Sequence, residues 1–114
     1  MIFALDMDDG RVLAFASEDE AVAHCKPVDV QDGYWRFYDD DGSPLEPRFP
    51  AVPGESAPVP RAFWLERAMS GLWLQERLEK VTQVSGGDIN SLDALSGTLK
   101  ANRARRVARD RLRR

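Results

Sequence analysis

Cysteine and histidine occur once each in the 114 residues, side by side as His24-Cys25. A single cysteine excludes an internal disulfide framework and fits a reducing compartment. One histidine and one cysteine cannot supply a tetrahedral zinc site within one chain. Neighbours on a helix point about 100° apart, so the pair is not placed as nucleophile and base. A core-facing or half-buried helix position is the expectation for both. No apolar run approaches the roughly 18 residues of a membrane span, and the start MIFALDMDDG lacks the basic stretch of a secretory signal. We therefore expect a soluble, cytoplasmic protein. Lysine is also scarce, three residues against 13 arginines.

What is present is enough for one core and one domain, residues 1–114, with 43% apolar residues. Net charge is only −3 but unevenly placed. Residues 1–60 carry 13 acidic and 4 basic side chains, net −9; residues 61–114 carry 6 and 12, net +6. Such asymmetry points either to a charged partner or to packing of the two halves on one another.

IFALD and RVLAFAS are β-type runs joined by Asp8-Asp9-Gly10, which reads as a hairpin. Ser17 with Glu20 three residues later is a capping box opening a short helix that Pro27 stops. In YWRFY, Tyr34, Arg36 and Tyr38 alternate with Trp35 and Phe37, as on a strand. Asp40-Asp41-Gly42 then repeats the earlier turn, LDMDDGRVL aligning with FYDDDGSPL 32 residues later. This acidic ββαβ part covers 1–46. Residues 47–60 hold five prolines, so we expect an irregular connection without helix or central strand. In the helical part, 61–100, residues 62–69 read as helix or strand and 72–84 as a helix. Asn90 or Ser91 caps a last helix with Leu92, Leu95 and Leu99 on one face. Ser96-Gly97-Thr98 are weak helix formers, so the reading allows a break in this helix there. The fold class is α+β: a small antiparallel sheet with two C-terminal helices on or beside it.

Two chemical readings of the acids fail on spacing and context. FALDMDDG is how haloacid-dehalogenase-type phosphatases begin, with Asp6 as nucleophile and Asp8 as acid/base. That chemistry also needs a Ser/Thr and a Lys on the phosphate and a larger, doubly wound sheet, and here the chain returns at once as a strand. A calcium loop needs glycine at position 6 and glutamate at 12. Counting from Asp6 gives Arg11 and Ser17; counting from Asp39 gives Pro44 at position 6. No catalytic, cofactor or metal residues are assigned, and the chain is expected not to be an enzyme.

What remains is surface. Most aromatics belong to the core, yet Tyr34, Trp35 and Arg36 adjoin an acid cluster, and interfaces favour Trp, Tyr and Arg ringed by charge. The arginines of 101–114 suit a helix C-terminus. They are expected to be solvated, to pair with the acidic half, or to meet a partner; nucleic acid is disfavoured because the rest of the chain is acidic.

FALDMDDGRVLAFASEDEAVAHC and YWRFYDDDGSPLEPRF, over roughly the first 50 residues, resemble the small immunity proteins of bacterial polymorphic toxin systems, such as those of type VI, Rhs or contact-dependent-inhibition effectors. The resemblance implies tight one-to-one binding of a cognate toxin. Candidate partner-binding residues are Asp8, Asp9, Glu18, Asp19, Glu20, Asp39, Asp40 and Asp41, with Tyr34, Trp35 and Arg36. The alternatives are a homodimer or adaptor assembled through the C-terminal helices and, behind it, a nucleic-acid-associated protein using the arginine-rich end.

Overall fold

The structure, a computed structural model, describes residues 1–50 and 61–112. Strands β1 (Ile2–Asp6) and β2 (Arg11–Phe15) form the expected hairpin, with Phe3 opposite Ala14 and Leu5 opposite Val12. Helix α1 (Glu18–His24) follows, capped by the Ser17 hydroxyl, which accepts from the Glu20 N–H. The Glu20 carboxylate reaches back to the N–H of Ala16, closing a capping box shifted by one residue. Pro27 does end this helix, but it also begins another, α2 (Pro27–Gln31), that the sequence reading did not include. Proline suits a first helical position because its missing N–H has no intrahelical role there.

Strand β3 (Trp35–Tyr38) pairs antiparallel with β1, and β4 (Pro44–Arg48) pairs with β3. Strand β5 (Trp64–Arg67) pairs with β4, which settles 62–69 as strand rather than helix. A 3-10 helix (Leu74–Lys80) and strand β6 (Gln83–Ser85) replace the expected helix over 72–84. β6 runs parallel to β2, giving a six-stranded, mostly antiparallel sheet ordered β5-β4-β3-β1-β2-β6. Helix α3 (Leu92–Leu112) is continuous, without a break at 96–98, and Ser91 is its cap, accepting from the Ala94 N–H.

Two further expectations are corrected. The proline-rich connection expected over 47–60 begins later, since Pro47 and Arg48 belong to β4. Pro47 lies past the paired part of β3, and Leu65 opposite it donates its N–H to Glu18 instead, so no ladder bond is lost. The rest of that stretch, 51–60, lies outside the described residues. Leu65, Met69 and Leu72 recur at helical spacing but form no buried face, since Met69 is 98% exposed and Leu72 also faces solvent.

The sheet has a layer on each face. Ile2, Ala4, Trp35 and Phe37 pack with Ala21 and Cys25 of α1 and Val30 of α2. Phe3, Leu5, Val12 and Tyr38 pack with Leu74 of the 3-10 helix and Leu95 and Leu99 of α3. Covering both faces explains why every residue of β1 is buried. Each of its large side chains contributes about 1.5–3 kcal/mol by leaving water.

Candidate functional site

The two Asp-Asp-Gly turns lie at opposite ends of the sheet. β1 and β3 are antiparallel with Phe3 opposite Tyr38 and Asp6 opposite Trp35, so the turn after Asp6 is remote from the turn after Tyr38. Both have their glycine at positive φ, +75° at Gly10 and +87° at Gly42. Their acids are used differently.

In the first turn the buried acid is Asp6, which precedes the turn. One carboxylate oxygen accepts the N–H groups of Asp8 and Asp9 at 2.9 and 3.0 Å. The other accepts the Arg11 guanidinium at 2.8 and 3.1 Å and the Tyr34 hydroxyl at 2.9 Å. Burial opposes ionisation of this group, but the Asp9 N–H, Arg11, Tyr34 and the Asp8 N–H together hold its pKa below the ordinary value. Five donors engage its lone pairs, leaving none directed outward, so Asp6 pins the hairpin. Asp8 and Asp9 stand exposed at the tip.

In the second turn the buried acid is Asp41, within the turn itself. Its Oδ1 accepts from the Ser43 hydroxyl at 2.7 Å and the Ser43 N–H at 3.1 Å. Its Oδ2 faces Arg106 at 3.1 Å and Arg103 at 3.6 Å. Arg106 also contacts Asp40 at 2.9 Å and Asp39 at 3.4 Å. Burial would raise the Asp41 pKa; the Ser43 hydrogen bonds and the two arginines outweigh it and lower it. The three carboxylates place oxygens within 4.8 Å of one another, a separation a cation can bridge, and the Arg106 guanidinium supplies that bridging charge. Backbone carbonyls of this turn are held as well, Asp40 by Asn102 at 2.8 Å and Asp41 by Gln75 at 2.6 Å.

Several of the candidate partner-binding residues are not displayed. Asp41 is buried, Trp35 is 7% exposed within the α1 layer, and Asp39 and Asp40 face Arg106. Tyr34 is half-buried on Asp6, and Arg36 is exposed on the opposite face of β3 from Trp35. Glu18 is exposed, but its carboxylate accepts the Leu65 N–H of β5 at 2.7 Å. Asp19 and Glu20 are exposed in the first turn of α1, and Asp8 and Asp19 have no side-chain hydrogen bond or ion pair among the described residues.

Charge is sorted by layer. Residues 18–32, spanning α1 and α2, carry five acids and one lysine, net −4. Helix α3 on the other face carries two acids and six bases, net +4. At the end of the sheet where β5 and α3 approach, Arg67, Arg103, Arg106 and Arg109 line an open cleft of about 600 Å³ with Asp41, Trp73 and Asp110. On the acidic side, His24 sets its ring 5.3 Å from Phe15 and 6.3 Å from Trp35. Cys25 is buried; burial first, then the charge of Asp29, pushes its thiol up to about 12, which leaves it unreactive.

Arg103, Arg106, Asn102 and Gln75 were not singled out by the sequence reading. The signal was present: Leu95, Leu99, Asn102 and Arg106 recur at spacings of four, three and four, so the apolar stripe continues as a polar one on the same helix face. Comparisons with protein-family models, curated proteins and solved structures find nothing that matches this chain.

Proposed function

We propose that this chain is a non-enzymatic binding protein of the immunity type, which neutralises a cognate bacterial toxin by covering it with the acidic layer. One observation carries the reading. The buried acids Asp6 and Asp41 are neutralised internally, whereas Asp8, Asp9, Asp19 and Glu20 project from a pinned hairpin tip and a capped helix turn. A poised catalytic carboxylate needs a pKa perturbed toward neutral pH. Both buried acids are instead held below their ordinary pKa.

Charge mounted on stiff elements is well suited to steering. Fixed carboxylates complement a basic cleft, raise the association rate and need little ordering on binding. The hairpin tip and the start of α1 are separated by the length of a five-residue strand, about 17 Å. One interface of ordinary size, roughly 800 Å² per partner, spans both. Asp32, which follows α2, lies close to the hairpin tip, since the Tyr34 carbonyl accepts the Met7 N–H at 2.9 Å.

The test is neutralisation. A single stoichiometric partner captured from the source cells should arrest growth when expressed alone, and co-expression of this chain should restore growth. Asp8→Asn/Asp9→Asn/Asp19→Asn should weaken protection while leaving the fold intact. A partner that is harmless, or protection indifferent to those three changes, overturns the reading.

A further inference from the structure

The cleft on the opposite, basic layer has its own chemistry, independent of the acidic face. We propose that it binds a small polyphosphate-bearing ligand, with Arg67, Arg103 and Arg109 as the groups that hold the phosphates. Its floor is the Asp41–Arg106 pair, whose charges are already committed to one another. Above that floor three arginines face one acid, Asp110, which leaves the lining at net +2.

The three guanidiniums retain free donors. Arg67 and Arg109 make no ion pair among the described residues. Arg103 meets Asp41 only at 3.6 Å, and its guanidinium lies over the face of the Trp73 ring, 4.8 Å from the centroid. Arginine forks match phosphate oxygens in pairs.

Spacing selects a polyphosphate over a lone carboxylate. Arg103 and Arg109 are six residues apart on α3, roughly 9 Å along its axis, and Arg67 stands on the β5 wall. Two carboxylate oxygens cannot span such a set, while linked phosphates can. The cleft, about 600 Å³, is in the range of small-molecule sites and has room for a nucleotide.

Titration calorimetry with inorganic tripolyphosphate and with ATP tests this directly. Each should bind at one site per chain. Arg67→Ala/Arg109→Ala should weaken binding by roughly tenfold or more, the effect of one lost charge-assisted hydrogen bond. Arg61→Ala/Arg111→Ala removes the same charge outside the cleft and should change affinity by less than about threefold. Equal affinity for the two probes assigns recognition to the phosphates, and tighter ATP binding adds the base; both support the site. No saturable binding, equal losses in the two double variants, or binding to single-stranded DNA without binding to tripolyphosphate overturns it.

Discussion

Arg106 bears more of the structure than any other polar side chain of α3. It is 21% exposed and touches three carboxylates, one of them buried. Removing one partner of such a buried pair costs about 3 kcal/mol, because the acid left behind is desolvated and uncompensated. Arg106→Ala should lower the unfolding free energy obtained from urea melts by that amount, whereas Arg111→Ala, on the exposed helix end, should change it by less than about 0.5 kcal/mol. Acid sensitivity follows from Asp41. Its folded pKa is depressed, so its stabilisation is present above the ordinary carboxylate value near 3.8 and is lost as pH falls below it through the folded value. Urea melts at descending pH should show that loss in the wild type and a shallower one in Asp41→Asn.

The same residue shows how much could be read in advance. Asp9 and Asp41 occupy equivalent places in two aligned Asp-Asp-Gly segments. Asp9 keeps a side chain 67% exposed and Asp41 only 1%, because arginines of α3 meet the Asp41 carboxylate, whereas Thr82 meets the first turn through the carbonyls of Asp9 and Gly10. Local letters specify the turn; what packs above it comes from residues more than 60 positions away.

Among the elements, those with a local signature were legible. Hairpin, capping box, strand 35–38 and the apolar start of α3 each follow from spacing within a few residues. Those without one were not. β6 offers three residues with one buried, Val84, too short for any alternation to register. In and just after the 3-10 helix, Leu74, Leu78 and Val81 have spacings an α-helix shares. Two glycines test the element account with opposite signs. Gly42 has φ +87°, and a Cβ there would run into the Gln75 side chain, so Gly42→Ala should destabilise by about 1–3 kcal/mol. Gly97 lies inside α3 with nothing close to its Cβ position, so Gly97→Ala should stabilise by about 0.5–1 kcal/mol. Thermal melts of the two variants check both.

At the scale of the whole molecule, the lopsided charge of the chain becomes a difference between layers. The acidic layer of α1 and α2 and the basic layer of α3 lie on opposite faces of the sheet, while the acids of the 39–41 turn, at the end of β3, pair with Arg103 and Arg106 of α3. The sequence reading allowed either a charged partner or mutual packing of the halves. Part of the acid is spent internally, on that contact, on Asp6 with Arg11 and on Glu46 with Arg48, while Asp8, Asp9, Asp19 and Glu20 are exposed at the hairpin tip and the start of α1. No helix among the described residues is long and apolar enough to cross a membrane.

Paired affinity capture tests the proposed role most directly, with the wild-type chain and Asp8→Asn/Asp9→Asn/Asp19→Asn as baits in the same low-salt extract. The account predicts one stoichiometric basic protein on the wild-type bait, lost from the variant and released from the wild type as salt is raised. Equal recovery on both baits, or no stoichiometric partner on either, contradicts it.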